Sequence, residues 1–218
     1  MSINILPGTQ DQRSQWGEEP VIAIDLGMSE LKKTTGFAYV PEDLFSIKST
    51  SLGATIGDCV ARICEVIARP EAPFKIALII EAPLSFAFDN SGNPTARRPI
   101  EVTDQVRPWH HQPACGLGLL AVLILRRILA EAQPEGRNLT LHVFEGFISG
   151  EISEVGPPAR HRSHRRDAHN LVTAFQNKEQ VLVTNSSATG SLLPLVDATM
   201  NNTIPAIIQV TQAHYRFI

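Results

Sequence analysis

The chain has 218 residues, of which 43% are hydrophobic and 19% charged, and its formal net charge is −3. That length suits one α/β domain with a full core. The composition excludes general disorder, and the charge excludes a polycation that binds nucleic acid over its whole surface. The three cysteines, Cys59, Cys64 and Cys115, form no Cys-x-x-Cys pair, and their odd number argues against a disulfide framework. With no secretory signal at the N-terminus, a reducing, cytoplasmic setting is expected.

Residues 1–19 are polar and without period, which predicts a flexible leader. Val21 to Leu26 reads as a buried strand, Gly27 to Lys33 as a turn and Thr34 to Val40 as a return strand. Leu44 to Ser51 is expected to be a third strand. Ile56, Val60, Ile63 and Ile67 fall on one helical face, and Pro70 and Pro73 end that helix. Ile76 to Glu81 is continuously apolar until its last residue, as in a central strand. Pro83 to Pro113 has no period and reads as a long functional loop.

Gly116 to Ala132 predicts a second helix. Its apolar run, Ala114 to Leu125, is too short to span a bilayer and stops at Arg126 and Arg127, so no membrane is expected. Leu139 to Phe144 is the next strand and Gly146 to Arg160 a loop. Ser163 to Phe175 reads as a third helix with Ser163 as N-cap. The segment 181–218 carries only Asp197 and Arg216 as formal charges. It is expected to be an extension packed on the domain or on a partner subunit, and the apolar second helix and tail suggest a homodimer.

Four acids stand out. Asp25, Glu81 and Glu145 each end an apolar strand, and Asp167 opens an apolar helical pattern. Buried carboxylates repel one another and lose hydration, so a cluster of them calls for a cation. Beside Asp167 runs Arg160-His161-Arg162-Ser163-His164-Arg165-Arg166. This basic run is suited to phosphate, with affinity that would fall with salt. Arg97, Arg98, Arg107, Trp109, His110 and His111 are candidates for a second wall. There Trp109 has two readings, stacking on a base or pinning the loop to the core.

The local words carry a resemblance. Ile24-Asp25-Leu26-Gly27 followed by Thr35-Gly36-Phe37-Ala38 is similar to the first hairpin of the ribonuclease H-like superfamily. Glu81-Ala82-Pro83-Leu84-Ser85 resembles the Asp-Ala-Pro-Leu-Ser word of a group of predicted nucleases in that superfamily, with Glu in place of Asp. Phe144-Glu145-Gly146-Phe147 resembles that group's Glu-x-x-Pro segment, without the Pro. Asp167-Ala168 resembles its Asp-Ala helix start, and His164-Arg165-Arg166-Asp167 the His-x-x-Asp word of RuvC-like resolvases.

The resemblance covers residues 20–176. It implies a ribonuclease H-like domain over 20–180, with a mixed five-stranded sheet in the order β-β-β-α-β-α-β-α and helices on both faces. It also implies a two-metal nuclease acting on DNA or RNA, with two Mg²⁺ or Mn²⁺ ions held by Asp25, Glu81, Glu145 and Asp167. Asp25, Glu81, His164 and Asp167 would be catalytic, with His164 contacting metal, phosphate or a proton in transfer. Arg97, Arg98, Arg107, Trp109, Arg160, Arg162, Arg165 and Arg166 would bind nucleic acid. Two alternatives stand beside this: a non-catalytic nucleic-acid-binding protein of the same fold, and nucleotide binding at the Gly27-Met28-Ser29 turn as in actin-like ATPases and sugar kinases.

Overall fold

Successive side chains of the apolar strands point to opposite sides of one sheet and feed two separate cores. The computed structural model describes residues 2–27, 32–41, 51–69, 74–97, 109–111, 113–134, 136–149, 160–178, 181–182, 189–200 and 202–211. In chain order the first elements are β1 (Ile3–Pro7), α1 (Gln10–Ser14), β2 (Val21–Asp25), β3 (Thr35–Val40), β4 (Ser51–Ala54), α2 (Ile56–Ala68) and β5 (Lys75–Glu81). They are followed by β6 (Ser85–Phe86), α3 (Ala114–Glu131), β7 (Leu139–Ser149), α4 (Arg160–Gln176), β8 (Val181–Leu182), β9 (Gly190–Ser191), a 3-10 turn at Leu193–Leu195 and β10 (Ile207–Thr211).

The main sheet runs β4-β3-β2-β5-β7-β10-β8, with β1 also paired to β7, and is mixed. Strands β2, β5, β7 and β10 are parallel neighbours, whereas β3 runs antiparallel to β2 and β4 antiparallel to β3. On one face Ile22, Ile24, Leu78, Ile80, Leu141 and Val143 pack with α2 and α3. On the other, Val21, Ala23, Ala77, Ile79 and Phe144 pack with Ala168, Leu171, Val172 and Phe175 of α4. Burial from both sides explains the unbroken apolar runs of β2 and β5. Helix α2 is set by a capping box at its start. Thr55 Oγ1 accepts from the Asp58 N–H at 3.0 Å, and Asp58 Oδ2 accepts from the Thr55 N–H at 2.9 Å. No helix among the described residues is long and apolar enough to cross a membrane.

The sheet has eight strands rather than the expected five, and the additions come from both ends of the chain. Residues 1–19 are not a flexible leader in their described part. Strand β1 pairs with the first half of β7, from Ile3 opposite Leu139 to Pro7 opposite Val143. Thr9 caps α1, and Trp16 packs edge-on against His142 and Phe175. In the segment 181–218, β10 lies along the second half of β7, with Ile207 opposite Glu145 and Thr211 opposite Ser149. This pairing carries β7 to Ser149, so residues Gly146 to Ser149, expected in a loop, are strand. The third strand expected over 44–51 lies outside the described residues except at Ser51, where β4 begins. Helix α4 is already helical at Arg160, so Ser163 lies within it and is not its N-cap.

Ile5 is 3% exposed, which gives a direct test of the anchored N-terminus. Ile5→Ala is expected to lower the unfolding free energy in urea by about 2–4 kcal/mol. A change within about 0.5 kcal/mol, as for a surface residue, would show that β1 is not part of the cooperative fold.

Candidate functional site

The register of β2 and β5 brings the first two acids together. Asp25 ends β2 directly opposite Glu81, which ends β5, and directly paired residues of parallel strands project to the same face. That face belongs to α4, because Ala23 and Ile79, two residues back on each strand, pack in its core. Asp25 is 1% exposed and Glu81 half-buried. The two carboxyls lie close enough to share a proton, and burial raises both above the ordinary carboxylate range.

Helix α4 supplies the other half. His164 Nδ1 lies 2.8 Å from Asp25 Oδ1, and Asp167, one turn on, adds its charge to the field felt by Asp25 and Glu81. Two glycines permit this approach. Gly36 sits opposite Asp25 in the β2-β3 hairpin, and a Cβ there would collide with the His164 carbonyl oxygen. Gly146 lies beside Glu81, where a Cβ would come within 3.2 Å of the Glu81 Cα and 2.9 Å of Leu171 on α4. Sequence reasoning quoted both only as parts of words. The signal that finds them is parity, since each falls on the α4 face of its strand at the level of the acids.

Burial dominates the electrostatics. It pushes the Asp25 carboxyl up to about 7, with the hydrogen bond from Glu81 acting the other way and the charge of Asp167 adding to the rise. Burial, followed by the charge of Asp25, raises Glu81 well above its ordinary value. Burial also raises Asp167, against the opposing charges of His164 and Arg166. Among the described residues no group of three or more His, Cys, Asp or Glu is set to hold a metal ion. The described arrangement is closed by the Glu81–Asp25 and His164–Asp25 hydrogen bonds.

Glu145 does not join the cluster. It pairs with Ile80, one residue before Glu81, and therefore projects to the opposite face of the sheet. There it is fully buried and bonded to Arg97, with Arg97 Nη1 2.6 Å from Glu145 Oε1. Arg97, expected on a nucleic-acid-facing wall, is 1% exposed and engaged in this pair. Trp109 is half-buried. Its indole N–H donates to the Thr95 carbonyl at 2.9 Å and its ring packs against Phe86 and Phe88, so it pins the loop. Base stacking would need that ring free.

Arg165 and Arg166 are exposed on α4 beside the acids. Arg98 and Arg107 lie outside the described residues, as do the side chains of Arg160 and Arg162. Of the Gly27-Met28-Ser29 turn, only Gly27 is described. The chain matches no family model, no curated protein and no solved structure.

The three raised carboxyls link stability to pH. Between the ordinary carboxylate range, near 4, and about 7 for Asp25, the folded protein holds protons that the unfolded chain has lost. The contribution of Asp25 is therefore fully present below about pH 4 and is lost as pH rises through about 7. In metal-free buffer, Asp25→Asn is expected to melt above the unaltered protein at about pH 8, by a margin that shrinks toward about pH 4. Thermal melts across this range check it, and a margin constant with pH would contradict the raised Asp25.

Proposed function

We propose that the protein is a divalent-metal-dependent nuclease of the ribonuclease H-like type that hydrolyses phosphodiester bonds in DNA or RNA. One observation carries the reading: Asp25 and Glu81 stand side by side on the sheet face that α4 covers, near enough to Asp167 of α4 to feel its charge, with all three lifted by burial beside the exposed Arg165 and Arg166. The element order supports the fold assignment. The β2-β3 hairpin and β4, followed by α2, β5, α3, β7 and α4, are in the sequence the resemblance implies, with Asp25 beside the next parallel strand.

The donor set fits Mg²⁺ or Mn²⁺ in kind, because carboxylate oxygens are the hard ligands these ions take. Raised carboxyls are also the groups whose ionisation a dication relieves. Asp25, Glu81 and Asp167 would hold two ions, which when bound supply an activated water and charge stabilisation at the leaving oxygen. The chain's own residues do the rest. His164 holds one oxygen of Asp25 and so fixes the direction of that carboxyl. The proton held between Asp25 and Glu81 would leave to solvent when the cluster takes up positive charge. Arg165 and Arg166 draw the phosphate backbone toward the acids. The exposed Leu119 and Leu123, one turn apart on α3, support a homodimer.

A second reading, nucleic-acid binding without catalysis, is favoured by the way the acids close on themselves through hydrogen bonds. One set of assays separates the two. Labelled single-stranded, duplex and branched DNA, and RNA, are incubated with the protein and Mg²⁺ or Mn²⁺. Cleavage is expected, with Asp25→Asn slower by about three orders of magnitude or more. Binding in both proteins should weaken as salt rises. No cleavage of any substrate, with salt-sensitive binding intact, would leave only the second reading. Equal cleavage by Asp25→Asn would remove the first.

A further inference from the structure

The Glu145–Arg97 pair lies on the opposite face of the sheet from the acids, with both side chains 1% exposed. Two charges at that depth are a poor source of stability, since apolar residues of similar volume commonly do as well. Such a pair calls for a role in specifying geometry, and its bonds indicate which. Glu145 Oε2 accepts from the Leu84 N–H at 3.0 Å and from the Ser85 hydroxyl at 3.4 Å. Arg97 Nη1 donates to Ser85 Oγ at 2.9 Å as well as to Glu145. The Leu84 carbonyl accepts from the Leu192 N–H at 2.8 Å. Leu84 is three residues beyond Glu81, and Glu145 pairs with Ile80, the residue before it. The backbone that carries Glu81 is therefore gripped on both sides of that residue by Glu145, through its backbone in the β5-β7 pairing before it and through its carboxylate at Leu84 and Ser85 after it.

We propose that Glu145 and Arg97 form a latch that positions Glu81: by clamping Leu84 and Ser85 they fix where β5 ends and hold the Glu81 carboxyl against Asp25. Glu145 thus serves the acid cluster through the backbone and across the sheet as a positioning residue. The same latch orders the start of the long loop, because Arg97 follows Thr95, whose carbonyl holds Trp109. The inference rests on reading Asp25, Glu81 and Asp167 as the metal-holding site.

The first measurement uses the unaltered protein. The Leu84 amide is expected to exchange with solvent as slowly as the interior amides of β5, and exchange at the rate of an open loop would overturn the latch whatever the protein cleaves. The second uses Arg97→Met combined with Glu145→Gln, which leaves no buried charge unpaired, alongside Arg97→Lys and Ser85→Ala. The double variant is expected to bind Mn²⁺ about tenfold more weakly or worse, and to lose about tenfold or more in kcat. Its KM for an oligonucleotide should change by less than about twofold. Arg97→Lys should recover part of the loss. If the double variant does not fold, Ser85→Ala carries the test, with a smaller loss in the same direction. Mn²⁺ affinity and kcat unchanged in the folded variants would sink the latch alone. An unaltered protein that neither takes up Mn²⁺ nor cleaves would sink the site reading, and this proposal with it.

Discussion

The parallel register between β2 and β5 is the constraint on which the site depends. Because Asp25 stands opposite Glu81, two carboxyls from distant parts of the chain are forced side by side at the end of a fully buried strand. The register cannot relax by slipping. A shift of β2 by one residue would turn Ile22 and Ile24 out of one core and Val21 and Ala23 out of the other. The hydrophobic energy of two cores thus holds together two groups that electrostatics would separate. The same parity explains why Glu145, also at the end of an apolar run, is elsewhere. It is one residue out of phase with Glu81 and faces the other core.

Helix α4 completes the arrangement by spending its faces differently. Ala168, Leu171, Val172 and Phe175 seat it on the sheet, and the missing side chain at Gly36 lets its first turns sit directly over the β2-β3 hairpin. His164 and Asp167, three residues apart, then point to the acid pair, while the two residues between them, Arg165 and Arg166, point to solvent. One short stretch of sequence therefore delivers an inward acid, an inward imidazole and two outward cations.

Much of this was legible in the residues because the determinants are local. Continuous apolar runs announce β2 and β5, a spaced stripe announces α2, and carboxylates at strand ends announce Asp25 and Glu81. What escaped depends on partners far away in the chain. Strand β1 has five residues, and only the alternation of Ile3, Asn4 and Ile5 hints at it until β7 is there to pair with. Gly146 to Ser149 looks like a loop until β10, some sixty residues later, lies alongside. Glu145 and Arg97 are misread for a different reason. Sequence reports that a residue is charged but not whether its charge is already answered, and these two answer each other inside the fold.

The two sets of buried charge have opposite characters. At Glu145 and Arg97 the charges are opposite, buried and hydrogen-bonded to each other. At Asp25, Glu81 and Asp167 the charges are alike, and the fold completes them only by retaining protons above the ordinary carboxylate range. A protein that needed these positions only for packing would be better served by amides or apolar residues of the same size, which carry no such penalty. The unbalanced set lies at the ends of β2 and β5, beside exposed arginines, and the balanced set lies buried on the other side of the sheet. That division sets the electrostatic strain on the face of α4 and the balanced pair on the face of α2 and α3.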